Sequence, residues 1–132
     1  MSYLGKEYKC VKHENYAGFL KSLGISDEKV QEFLTFDLKE KVIKDGDMYT
    51  FFYSSPLGDQ KVTFRPGVEC DEPVEGFKLK STYKIDGDTI QQVTRSKDVE
   101  ATFKRAYSGS DLVITLTSDN WDGVARTYFK AL

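Results

Sequence analysis

Arg126 and Tyr128 stand two residues apart in a C-terminal run, Gly123 to Leu132, that alternates as a β-strand does. Residues i and i+2 of a strand share a face, so a guanidinium and a phenol sit side by side. Together they can grip a carboxylate, the fork of the arginine matching its two oxygens and the hydroxyl adding a third donor. If that face turns into a barrel, the pair describes a pocket for an acidic lipid. If it turns outward, Arg126 is a solvated surface residue. Strand period leaves both open, because a slip of one residue exchanges the faces. Phe103, Arg105 and Tyr107 share a face in the same way. A dry core does not bury such side chains without partners, so these mixed faces favour a barrel with a cavity over a packed sandwich.

Other candidate chemistry is sparse. The single histidine, His13, has no partner brought to it by any motif and reads as a surface residue rather than a base. Nucleophile elbow, phosphate loop and paired metal-ligand spacings are all missing from the sequence. The scattered Asp and Glu read as turn formers. Neither catalysis nor a cofactor nor a metal is expected. Nineteen Lys+Arg against 21 Asp+Glu leave a net charge of −2, without the basic excess of a nucleic-acid binder. Cys10 and Cys70 lie far apart, and the opening residues Met1 to Lys6 contain no apolar run of signal-peptide length. The expectation is two reduced thiols in a cytoplasmic protein. No stretch approaches the length of a membrane span.

The elements that must position these residues are mostly strands. The 132 residues suit one domain, 1–132, with one core. Turn signals recur at Asp45-Gly46-Asp47, Pro56-Leu57-Gly58-Asp59, Arg65-Pro66-Gly67, Asp86-Gly87-Asp88, Ser108-Gly109-Ser110-Asp111 and Asp122-Gly123. Between them lie β-rich runs: 48–54, 60–65, 77–85, 89–95, 99–107 and 112–118. Such spacing predicts an antiparallel meander, which must curl into a barrel or split into two sheets to protect its edges. One region departs from this. Tyr16, Phe19, Leu20 and Leu23 fall at helical spacing, with Asn15 as N-cap and Gly24 as stop. Ser26 opens a second helix, with Asp27 and Glu28 in its first turn and an apolar stripe of Val30, Phe33 and Leu34. The two helices plug or lid one barrel end.

These residues resemble the intracellular lipid-binding proteins, and among them the fatty-acid-binding proteins of the insect midgut type. Lys6-x-Tyr8 with Asn15-Tyr16 and Phe19-Leu20 is similar to the N-terminal signature, with Tyr8 in place of the usual tryptophan. Cys10 and Ala17 depart from it, where an aliphatic and an acidic residue are usual. Phe64-x-x-Gly67-Val68-Glu69-x-Asp71-Glu72 resembles the fourth and fifth strands, and Asp111 to Thr117 the ninth. Arg126-Thr127-Tyr128 resembles the carboxylate-binding pair, and the run Asn120 to Arg126 points to the insect type.

The resemblance implies an all-β fold, a ten-stranded antiparallel up-and-down β-barrel (β-clam) capped by a helix-turn-helix. It implies intracellular binding and transport of a long-chain fatty acid by a monomer, with the carboxylate gripped by Arg126 and Tyr128, turned inward with Val124, and a second arginine at Arg105. It implies a cavity lined by Tyr16, Tyr49, Phe51, Tyr53, Val62, Phe64, Phe103, Ile114 and Leu116, with Gln60, Glu72 and Gln92 as its polar members. The implied portal is Val30, Phe33, Leu57 and Phe77. The same grip would hold a retinoid or another acidic isoprenoid, and the residues alone do not separate these ligands. Lys21 and Lys29 on the helices offer a transient contact with an anionic membrane surface.

Overall fold

The computed structural model describes residues 2–74 and 78–132. Among them the chain runs β1 (Tyr8–Glu14), α1 (Tyr16–Ser22), α2 (Asp27–Thr35), β2 (Lys39–Asp45), β3 (Met48–Ser55), β4 (Gly58–Phe64), β5 (Cys70–Asp71), β6 (Lys80–Asp86), β7 (Thr89–Arg95), β8 (Glu100–Ser108), β9 (Asp111–Ser118) and β10 (Trp121–Ala131). The ten strands form one sheet in the order β4-β3-β2-β1-β10-β9-β8-β7-β6-β5. Every pairing is antiparallel, and the sheet curls into a nearly closed barrel whose two unjoined edges are β4 and β5. This is the capped antiparallel barrel that the sequence predicts. β2 is not among the strand runs read from the sequence, because Lys39-Glu40-Lys41 and Lys44-Asp45 leave it only Val42 and Ile43 as apolar residues.

The hairpins close on short turns. Asp45 pairs with Met48, Ser55 with Gly58, Asp86 with Thr89 and Ser108 with Asp111, two residues lying between the members of each pair. Gly46 (φ 63°) and Gly87 (φ 58°) supply the left-handed backbone that such turns require. The last hairpin closes elsewhere than predicted. Ser118 pairs with Trp121, so the turn is Asp119-Asn120. Asp122-Gly123 falls inside a bulge of β10 between Trp121 and Ala125.

The helical cap sits between β1 and β2. Ser26 caps α2, its hydroxyl accepting from the Lys29 N–H at 3.3 Å. Asn15 precedes α1 in left-handed conformation (φ 56°), and its side chain does not cap the helix. It donates instead to the Val124 carbonyl at 3.2 Å, tying α1 to β10. Phe19 meets Phe103 (5.7 Å) and Trp121 (6.4 Å), both edge-on, which seats α1 against the barrel. Inside the barrel one aromatic stack runs through Phe51, Phe64 and Tyr83, with Phe64 and Tyr83 4.1 Å apart. A second joins Tyr3, Tyr107 and Tyr8. No described helix is long and apolar enough to cross a membrane.

Candidate ligand-binding site

A cavity of about 220 Å³ lies inside the barrel, under the helices. Its apolar wall comes from Tyr16 of α1, Phe33 of α2, Leu38, Phe51 and Tyr53 of β3, Phe103 of β8, Ile114 and Leu116 of β9, and Phe129 of β10. It reaches the surface at the β3–β4 turn, where Leu57 both lines it and is 42% exposed. Ser54, Ser55, Val74 and Leu79 line it as well.

A connected set of polar side chains crosses this wall. Arg105 of β8 is buried (7% exposed) and donates through Nε to Glu40 Oε1 at 2.8 Å and through Nη2 to Glu40 Oε2 at 3.4 Å. Its Nη1 donates to Gln92 Oε1 at 2.8 Å, and its guanidinium lies 4.5 Å from the Phe51 ring centre. Burial works against the Arg105 charge, but the Glu40 carboxylate more than offsets this and holds the guanidinium protonated above its ordinary range. Gln92 passes the network on, its amide N–H donating to Thr94 Oγ1 at 2.8 Å and to Glu72 Oε1 at 3.3 Å. Glu72 also accepts from the hydroxyls of Tyr53 (3.1 Å) and Tyr83. Burial, then the Glu72 charge, pushes both phenols far above their usual range, so they stay donors.

Arg105 thus spends three of its N–H groups on Glu40 and Gln92. A guanidinium carries five, which leaves two for a ligand. A cation in the wall of a largely apolar cavity can receive the polar head of an elongated lipid while its chain replaces water along the wall.

Arg126 and Tyr128 are not part of this site; contrary to expectation, both face outward. Arg126 is exposed, as is Val124 (38%). The Tyr128 hydroxyl donates to Glu14 on the outer face, where Lys12 lies 4.7 Å from the Tyr128 ring centre. Strand pairing explains why. Directly opposed residues share a face, and Leu112, Ile114 and Leu116, all buried, pair with Phe129, Thr127 and Ala125. The two-residue turn at Asp119-Asn120 makes every pair one odd and one even residue. The β10 bulge preserves this, since β10 advances four residues from Trp121 to Ala125 while β9 retreats two from Ser118 to Leu116. Once Ile114 faces inward, Arg126 and Tyr128 must face out.

Other expected residues divide. Tyr16, Phe51, Tyr53, Gln60, Glu72, Gln92, Phe103, Arg105, Ile114 and Leu116 line the cavity. Tyr49, Val62 and Phe64 are buried inside the barrel but do not line the cavity, and Tyr49 and Phe64 stack on each other (5.7 Å). Of the portal set, Phe33 and Leu57 line the cavity, while Val30 (0% exposed) is packed into the core under α2. Phe77 lies outside the described residues. His13 is half-buried rather than a surface residue. It stacks on Tyr16 (4.4 Å) with Nε2 3.6 Å from Cys10 Sγ, and burial lowers its pKa. Cys10 and Cys70 are both free thiols, and burial raises the pKa of each.

Leu38, Glu40, Tyr83, Thr94, Thr127 and Phe129 are among the lining residues not expected from the sequence. Glu40 alternates with Val42 along β2, so an inward Val42 implies an inward Glu40. That signal is hidden because the strand itself is hard to see. Thr127 and Phe129 follow from the β9–β10 pairing described above.

A barrel lidded by two helices, with one buried arginine at a largely apolar cavity, has the architecture of a container for a small, largely apolar molecule. The chain belongs to the lipocalin / cytosolic fatty-acid binding protein family, whose sequence pattern it matches over residues 1–102. It is 46% identical to fatty acid-binding protein 1 of Manduca sexta over 99% of this chain and 100% of that one. The solved fatty-acid-binding protein isolated from Manduca sexta superposes with a TM-score of 0.91 at 45% identity, covering 98% of this chain and 99% of that chain. The Schistosoma mansoni fatty acid binding protein in complex with arachidonic acid superposes at 0.90 with 25% identity, covering 99% and 96%.

Proposed function

We propose that this protein reversibly binds a long-chain fatty acid in the barrel and carries it through the cytoplasm as a monomer, with the polar head at Arg105. The observation that carries this reading is the buried guanidinium with two uncommitted N–H groups at an apolar cavity. The fatty-acid-binding relatives support the ligand class, and the lining supports the energetics. Each buried methylene is worth ~0.8 kcal/mol, so a chain of about sixteen carbons offers on the order of 12 kcal/mol gross. Ordering the ligand takes back several of these. The remainder corresponds to a dissociation constant between about micromolar and ten nanomolar.

Entry is proposed beside Leu57 and Phe33, between the β3–β4 turn and α2. A basic docking face for membranes has less support on the cap. Lys21 lies 3.8 Å from Asp27 and Lys29 lies 2.6 Å from Glu32, so the charge of each is offset locally.

The test is a titration of delipidated protein with oleate, read by displacement of a fluorescent fatty-acid analogue, with retinoic acid in parallel. Saturable, near-stoichiometric displacement by oleate with retinoic acid weaker is the expected result. Preference for retinoic acid would replace the ligand, and failure of both would overturn the carrier reading.

A further inference from the structure

The Arg105 guanidinium already holds a carboxylate. Glu40 covers its Nε/Nη2 edge at 2.8 and 3.4 Å, and both residues are buried (8% and 7% exposed). A fatty-acid carboxylate arriving at the remaining N–H groups would be a second anion on the same cation. Glu72 adds a third carboxylate one link away, through Gln92.

We infer that the headgroup is bound in uncharged form, as a protonated carboxylic acid or as a long-chain alcohol, and that Glu40 is the residue that sets this specificity. The inference rests on the carrier reading above. Two carboxylates that share a site away from water do not both stay ionised. An uncharged O–H head fits the same place without conflict. Its oxygen accepts from a spare Arg105 N–H, and its hydrogen goes to a Glu40 oxygen. A fatty acid that is ionised in solution therefore binds with uptake of one proton from the solvent, held between its carboxyl group and Glu40.

The other groups around Glu40 do not supply a second balancing contact. Tyr107 of β8, Tyr53 of β3, Tyr16 of α1 and Cys10 of β1 feel its charge and remain neutral, burial pushing all four upward. Tyr83 is bonded to Glu72. Lys39, the preceding residue of β2, is half-buried and carries the other positive charge at the lining. Arg105 is the cation bonded to Glu40 among the described residues.

The experiment is calorimetry on delipidated wild-type protein, with oleate and oleyl alcohol as probes, in two buffers of different ionisation enthalpy. Both lipids are kept below their aggregation thresholds. The expected result is uptake of about one proton per oleate at about pH 8 and none for the alcohol. Oleate affinity then falls about tenfold per pH unit as the solution becomes alkaline, while that of the alcohol holds. Glu40→Gln keeps an acceptor for Arg105 and removes the negative charge. It should abolish the proton uptake and bind oleate at least about tenfold more tightly at about pH 8, since the cation is then free to take the ionised form. Tight binding of oleate by the wild type without proton uptake overturns this inference and leaves the carrier reading standing. An E40Q protein that still takes up a proton also overturns it. If neither lipid binds the wild type, the carrier reading fails and this inference with it.

Discussion

Replacing Arg105 with leucine leaves Glu40 buried without its cation and Gln92 Oε1 without its donor. Breaking one side of a buried ion pair costs about 3–5 kcal/mol. At ~2.1 cal/mol/K per residue, a chain of 132 residues has an unfolding entropy of about 0.28 kcal/mol/K, so Tm should fall by about 11–18 °C. Glu40→Met should cost a similar amount, because it strands the guanidinium. The double variant strands no charge. Replacing a whole buried pair by apolar residues is neutral or stabilising by about 1–4 kcal/mol, and the orphaned Gln92 oxygen costs about 1–3 kcal/mol. The two singles therefore sum to about 6–10 kcal/mol, while the double should stay within about 3 kcal/mol of wild type. Denaturant unfolding followed by the fluorescence of Trp121, the one tryptophan, measures all three. Single effects that add to within about 0.5 kcal/mol in the double variant would show that Arg105 and Glu40 are not a coupled pair, because additivity is the behaviour of independent sites.

Arg126→Ala should leave the oleate dissociation constant within about twofold of wild type, since its side chain lies outside the barrel and exposed charges contribute little; fluorescent displacement checks this. A Cβ at Gly18 would stand 2.8 Å from Trp121 Cζ2, 0.6 Å inside the 3.4 Å of ordinary contact (3.4 − 2.8), and one at Gly123 would overlap the same ring edge more deeply. Gly18→Ala gains about 0.8–1.0 kcal/mol of helix propensity and should be near neutral. Gly123→Ala has no such gain and should lose about 1–3 kcal/mol, and the two midpoints in thermal melts report the difference. Tyr3 is pushed up to about 12, and Tyr16, Tyr53, Tyr83 and Tyr107 higher still, in each case chiefly by burial. A folded pKa raised above the unfolded value gives stability that is present below about pH 10 and lost as pH rises further. In an alkaline titration the phenolate absorbance of these five should therefore appear together with loss of circular dichroism, not before it.

Much of the fold is written in local chemistry. The hairpin glycines and the alternation of Leu112, Ile114 and Leu116 show the meander, and the Ser26 cap with Phe19, Leu20 and Phe33 shows the lid. β2 is obscured because its inward face mixes Glu40 with Val42. β5 is only the two residues Cys70–Asp71, too short for any period to register. The site is half legible. Phe103, Arg105 and Tyr107 share a face, and that face is the inner one for Arg105 and Tyr107, which are buried. Arg126 misleads because its motif is attractive while its register depends on the Asp119-Asn120 turn, which lies before the bulged segment. Placing that turn at Asp119-Asn120 and accepting Ile114 as inward would have turned Arg126 out. The partner of Arg105 depends on Glu40, 65 residues away in sequence, and no local pattern links them.

The most direct test of the site is a crystal structure of the oleate complex. The carboxyl group should lie inside the barrel, with an oxygen about 3 Å from Arg105 Nη1 or Nη2 and beside the Glu40 carboxyl group. A carboxyl group resting anywhere else, against Arg126 on the outer wall or at the Leu57 entrance with Arg105 untouched, would contradict it.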